Sequence, residues 1–230
     1  MASPLALLRQ HPLWAPLSDA ATRTLAAHAG ICDFSAGQVL VREGEPAQHL
    51  RYLTHGLVRT YFPRTKTRAS LTLALTAAPA MFGDIACLNG TPYTATVEAL
   101  NACRTVAVPV AVWRDVLGRE PAVALLHDAR LAQRFTGATQ IQRRSIDPRP
   151  LECVAALLLS YAQHVGVAID DGVLIDVVLA QEDIAEQTAS TRRTVVRALG
   201  DLFDSGTLRR HGRKFVVVDA DRLARAALGQ

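Results

Sequence analysis

The chain has 230 residues, half of them hydrophobic, 20% charged, with a formal net charge of +4. This is the composition of one large or two small globular domains, and it excludes a disordered chain. No apolar run is long enough to span a bilayer, and MASPLALLRQHPLW lacks the basic lead and cleavage site of a secretory signal, so a cytoplasmic protein is expected.

LSDAATRTLAAHAG reads as a helix that Ser18 caps and Gly30 closes. Residues 31–109 then read as β. GQVLV, GLVRTYF, ASLTLAL and CRTVAVPV are short, rich in Val, Leu and Thr, and separated by turn signals at Glu43–Gly44, Gly56, Asn89–Gly90 and Asn101. Many short strands at this spacing predict a sandwich or barrel. After Pro121 the pattern changes. Leu125, Ala129, Ala132, Phe135 and Ala138 recur at three and four, the seam of a helix running to about 146. Its small residues leave two partners open: the helix's own domain, or a second copy of the chain.

IDPRP breaks that helix. Asp147 as N-cap and Pro148 at the first helical position predict a new, largely apolar helix through LECVAALLLSYAQHVG. VLIDVVL follows as a strand, then helices over Gln181 to Thr188 and Thr191 to Phe203, and a hairpin turning at His211–Gly212. Helix, helix, helix and hairpin is the order of a winged helix-turn-helix. The whole is an α+β chain: a β domain over 1–118, a long helix over 119–146, and a winged helix-turn-helix over 147–230.

Charge is segregated within the last part. From Asp170 to Glu186 it is acidic; from Arg192 to Lys214 it is mostly basic. Thr191 can cap the second helix, which opens with Arg192 and Arg193 and carries Val196 and Arg197 one turn on. Cations at a helix N-terminus oppose the macrodipole, and a phosphate or guanine edge would reverse that balance. A solvated basic face would explain an isolated helix of this kind. The helix before it, the small Ala185 at the crossing, and the hairpin cations Arg209, Arg210, Arg213 and Lys214 point instead to double-stranded DNA.

Cys32, Cys87, Cys103 and Cys153 are dispersed, with no CxxC pair, so no metal or iron–sulfur site is expected. The β region offers His49 and His55 but no H-x-H motif, which weighs against a cupin-like metalloenzyme. There is no G-x-S-x-G and no P-loop, and no enzyme activity is expected.

With both halves read, the chain resembles the CRP/FNR superfamily of transcription regulators, the catabolite activator protein family. AGQVLVREGEPAQHLRYLTHGLVRTY resembles its cyclic-nucleotide-binding-type, jelly-roll-like β-roll. MFGDIACLNGTPYTATVEAL resembles its phosphate-binding cassette, and QEDIAEQTASTRRTVVRAL its helix-turn-helix. The resemblance implies a homodimer paired through the long helix, a palindromic DNA site, and RNA polymerase as a further partner. It also implies an effector pocket at Gly83, Asp84, Ile85, Tyr93, Thr94, Ala138 and Thr139. A regulatory cyclic-nucleotide module acting on a protein partner is the rival that the DNA-binding half disfavours.

Departures from the family pattern are informative. Its cyclic-AMP receptors carry Glu after the cassette glycine and later an Arg-Ser or Arg-Thr pair; here these are Asp84 and Tyr93-Thr94. Tyrosine cannot replace the arginine that neutralises a cyclic phosphate, so cyclic AMP is not the expected effector. Arg59 and Arg104 are the neighbouring cations that could substitute. No cysteine precedes Cys32, which removes the family's N-terminal iron–sulfur cluster. His11, His28, His49, His55 and His127 leave haem open without supporting it, and the effector is unassigned. Ala180 stands at the usual Thr cap of the first reader helix, and Ala189 at the usual turn glycine.

Overall fold

Ser18 caps a helix as its position predicts: its hydroxyl accepts from Ala21 N–H at 3.2 Å. In the computed structural model the described residues are 3–9, 14–65, 70–132 and 149–229. They fall into two compact units, one drawn from Met1–Thr60 and Thr76–Thr139, the other from Tyr61–Leu75 and Gln140–Gln230.

The first unit opens with helices α1 (Pro4–Leu8) and α2 (Asp19–His28). The second of these ends at Ala29, because Gly30 already begins strand β1 (Gly30–Phe34). Strands β2 (Val39–Val41), β3 (His49–His55), β4 (Leu57–Phe62), β5 (Leu71–Ala77) and β6 (Ala80–Phe82) follow in chain order, the end of β4 and most of β5 being grouped with the second unit, then the short helix α3 (Asp84–Asn89), β7 (Thr96–Ala99) and β8 (Cys103–Pro109). Helix α4 (Val110–Arg119) leads into α5, helical over 121–132. The strands form two four-stranded sheets, β1-β8-β3-β6 and β2-β7-β4-β5.

Strand alternation builds two cores from one sheet. Leu50 and Tyr52 of β3, with Val106 and Val108 of β8, pack against Leu8, Trp14, Leu25, Trp113 and Val123 of the helical layer. The opposite faces of the same strands send Leu53 and Cys103 to Val41, Val58, Val97 and Phe82 between the sheets. Trp14 and Trp113 meet edge to face at 5.2 Å, an arrangement worth about 0.5–1.5 kcal/mol beyond burial. Gly56 closes the β3–β4 turn at φ +98°, where a Cβ would lie 2.5 Å from the Ala102 carbonyl oxygen.

The second unit holds helices α6 (Pro150–Val165), α7 (Gln181–Gln187), α8 (Arg192–Asp204) and α9 (Ala220–Leu228), and strands β9 (Gly166–Ile169), β10 (Gly172–Ile175), β11 (Leu208–His211) and β12 (Lys214–Val217). The strands form one sheet in the order β11-β12-β10-β9. Three expectations are corrected here. Helix α6 has Pro150, not Pro148, at its first position, because a residue before proline is pushed into extended geometry and Arg149 adopts φ −88°, ψ 114°. Asp147 and Pro148 lie outside the described residues. The strand predicted over VLIDVVL stops at Ile175 and pairs with the unforeseen β9 through a turn at Asp170–Asp171. The hairpin turns at Gly212–Arg213, since His211 still pairs with Lys214.

Candidate DNA-reading surface and effector cassette

Helix α7 starts without a side-chain cap at Ala180. Asp183 replaces it, its Oδ2 accepting from Ala180 N–H at 3.0 Å, and so satisfies one of the free donors of the first turn. Ile184 and Ala185 are buried, as a helix crossing requires. Tyr161 of α6 donates its hydroxyl to buried Gln187 Oε1 at 3.0 Å, a tie between these helices that no local pattern signals. The chain then turns through Ala189, held at φ +51°. Helix α8 begins where predicted: Thr191 Oγ1 accepts from Thr194 N–H at 3.2 Å.

Val195, Ala198, Leu199 and Leu202 bury one side of α8. The other side carries Arg192, Arg193, Val196 and Arg197, all exposed, with Asp201 and Asp204 towards the C-terminal end. Cationic and apolar groups therefore occupy the N-terminal half and carboxylates the other half. The cations differ in their commitments. Arg192 Nε lies 2.9 Å from Glu182 Oε1 and also reaches Gln181 Oε1. Arg209 is paired with Asp171, whose carboxyl it holds below the usual carboxylate range through their hydrogen bond, and Lys214 is paired with Asp176. The Arg210 guanidinium lies 5.4 Å from the ring centres of both Phe203 and Phe215. Arg193, Arg197 and Arg213 are exposed and have no acidic partner among the described residues.

In the β-roll, Gly83 caps α3 at φ +80°, and a Cβ there would meet Tyr93 Cε1 at 3.0 Å and the His49 carbonyl at 3.3 Å. Tyr93 is buried, packs in the core between the sheets, and donates its hydroxyl to that same carbonyl at 2.7 Å. Its ring thus lies directly against the cassette glycine. Asp84 is buried too and turns towards α5, its Oδ2 3.3 Å from His127 Nε2. This is ion-pair distance without hydrogen-bond alignment, and His127 Nδ1 has no hydrogen-bond partner among the described residues. The Trp113 ring meets the imidazole edge to face at 5.7 Å. Ile85 and Thr94 are exposed, while Ala138 and Thr139 lie outside the described residues.

Of the substitute cations, Arg104 does not reach inward: it forks onto exposed Asp33 through Nε at 2.6 Å and a terminal nitrogen at 3.1 Å. Arg59 is buried. Sequence reasoning overlooked Arg51, which lies 5.5 Å from the ring centre of Phe34 and donates to Thr105 Oγ1 at 3.4 Å. A groove of about 580 Å³ opens at Asp33, Phe34, Ser35, His55, Ala102, Cys103 and Arg104, with none of the cassette residues in its wall. Among the described residues no group of three or more His, Cys, Asp or Glu could hold a metal ion. On α5, Val123 and His127 are buried, whereas Leu125 is 71% exposed and Ala129 and Ala132 are exposed. Phe135 lies outside the described residues. No helix among those residues is long and apolar enough to cross a membrane.

A roll with a phosphate-cassette helix and a helix-turn-helix unit with a basic second helix define a DNA-binding transcription regulator. Comparison with known proteins places it more narrowly. The family model of the cyclic nucleotide-binding domain matches residues 31–120, and that of the Crp-like helix-turn-helix domain matches residues 153–226. The chain belongs to the CRP/FNR family of transcription regulators. It is 27% identical over 195 residues to a CRP-like cAMP-activated global transcriptional regulator of Mycobacterium tuberculosis, covering 85% of this chain and 87% of that one. It is equally, 27%, identical over 190 residues to the global nitrogen regulator of Synechococcus elongatus, covering 80% and 83%. The fold is that of FixK2 from Bradyrhizobium japonicum (TM-score 0.72, 22% identity, 86% and 96% covered). It is also that of the c-di-GMP responsive regulator CLP of Xanthomonas campestris (TM-score 0.73, 14% identity, 88% and 100% covered).

Proposed function

We propose that the protein is a cytoplasmic homodimer that reads a palindromic DNA site and acts on RNA polymerase, under control of a signal other than cyclic AMP. The roll over 1–118 is the sensor, the helix over 119–146 the dimer seam, and residues 147–230 the reader. The observation that carries the reading is the exposed N-terminal half of α8, where Arg193 and Arg197 stand without acidic partners among the described residues. A soluble helix gains nothing from unpaired cations at its positive end, whereas a phosphate or guanine edge stabilises them. Thr191 and Arg192 flank this pair, and Arg209, Arg210, Arg213 and Lys214 lie in the wing beyond it.

The outward face of α5, with Leu125, Ala129 and Ala132, supports pairing with a second copy, and Phe135 continues its spacing. Two-fold pairing sets the recognition helices about 34 Å apart, one turn of DNA. Tyr93 lying against Gly83 supports a cassette that does not receive a cyclic phosphate. Relatives of equal identity are named for cyclic AMP activation and for nitrogen regulation, so similarity does not assign the effector. The test is selection of binding sites from random duplexes with the full-length protein, alongside sedimentation. A palindrome bound by a particle of twice the chain mass is expected. A single-chain mass at micromolar concentration, or no selected sequence, overturns the reading.

A further inference from the structure

Val196 is 45% exposed on the outer face of α8, one turn after Arg193 and next to Arg197. Positions i, i+3 and i+4 share one helix face, so the valine stands between the two arginines that have no acidic partner among the described residues. Arg192, by contrast, is held by Glu182 and Gln181. A β-branched residue at an exposed helical position loses rotamer freedom and ranks below alanine, lysine or arginine in helix propensity. Single exposed apolar residues are ordinary on protein surfaces. This one, however, lies on the exposed, basic N-terminal half of α8, away from the buried Val195, Ala198, Leu199 and Leu202.

The major groove presents one apolar group to such a side chain, the C5 methyl of thymine; the other edges are hydrogen-bond donors and acceptors. Arginine forks onto guanine O6 and N7. We infer that Arg193, Val196 and Arg197 form one reading face, in which Val196 covers the methyl of a thymine that neighbours guanines read by the arginines. Four helical residues span about 6 Å and a base-pair step about 3.4 Å, so the thymine lies within about two steps of the guanine contacted by Arg197. This inference rests on α8 being the helix that enters the groove.

The experiment starts from the palindrome selected by the wild-type protein. Each half-site thymine is replaced in turn by deoxyuridine, which removes only the methyl, and affinity is measured by fluorescence anisotropy. Val196→Ser and Arg197→Ala are carried in parallel, with circular dichroism to verify folding. One thymine near a guanine is expected to be sensitive, with about a fourfold loss per half-site on losing its methyl, the value of one buried methyl group. For Val196→Ser the same replacement is expected to have no effect, because the contact is already gone. A flat uracil scan in the wild type, or an unchanged uracil profile in Val196→Ser, overturns the inference. If Arg197→Ala then still relaxes a guanine preference, α8 remains the reader and only the thymine contact fails. If Arg197→Ala selects the wild-type motif, the assignment of α8 fails with it.

Discussion

Salt dependence measures how many cations meet the DNA. Each phosphate neutralised contributes about −0.9 to the slope of log K against log salt. If all of Arg192, Arg193, Arg197, Arg209, Arg210, Arg213 and Lys214 engaged phosphate in both protomers, fourteen contacts would give a slope of about −13. The ion pairs to Glu182, Asp171 and Asp176 and the stacking of Arg210 leave Arg193, Arg197 and Arg213. Arg193 and Arg197 displace counterions from the flanking phosphates as they enter the groove, so six cations per dimer then predict about −5. Asp171→Asn combined with Asp176→Asn releases Arg209 and Lys214, adds about four contacts, and should steepen the slope to roughly −9 while raising affinity at low salt. Arg213→Gln should flatten it by about 2. The assay is anisotropy of a labelled palindrome between about 50 and 300 mM salt, the range in which counterion release dominates. A wild-type slope near −13, or no change in the double asparagine variant, would refute the reasoning: the pairs would then open at no cost when DNA arrives.

Ala189→Gly should stabilise the reader. Alanine at φ +51° is disfavoured by roughly 1–2 kcal/mol, of which glycine returns up to about 1 through unfolded-chain entropy, leaving about 0.5 kcal/mol in denaturant unfolding; a destabilised variant would contradict this. Burial pushes the Cys87 thiol up to about 11 and raises Cys103, so at pH 8 the Cys87 thiolate is roughly a hundredfold scarcer than in solvent. Both should escape alkylation in the native protein and react once it is unfolded, as peptide mass spectrometry will report; rapid native labelling of either would count against the packing described. Cyclic AMP should give no heat in titration calorimetry at physiological concentration, and micromolar binding would show that another cation, Arg51 or Arg59, has taken the phosphate.

The parts of the fold that were legible in the sequence are those where local chemistry and tertiary need agree. Ser18, Thr191 and the β-branched runs behave as short-range rules require, and the reader's helix order follows from them. Strand β9 was missed because GVAI continues the apolar character of α6, and only its pairing with β10 distinguishes strand from helix. The start of α6 falls at Pro150 because Arg149, which precedes it, is extended and takes the N-cap position. The site was less legible than the fold. The basic residues are apparent from composition, but whether each is free or paired depends on carboxylates brought up by other elements, as Asp171 is to Arg209. Asp84, expected in the effector pocket, has its Oδ2 3.3 Å from His127 Nε2, forty-three positions away in the sequence (127 − 84), a contact no local pattern signals.

That buried contact joins the cassette helix to α5, two parts of the chain distant in sequence. Truncating either side chain removes a buried polar contact between the cassette helix and α5, so a substitution at position 84 is expected to be felt at 127 in denaturant unfolding. A chimaera that takes its cassette from a relative but keeps this helix should fold poorly until residue 127 is transplanted as well.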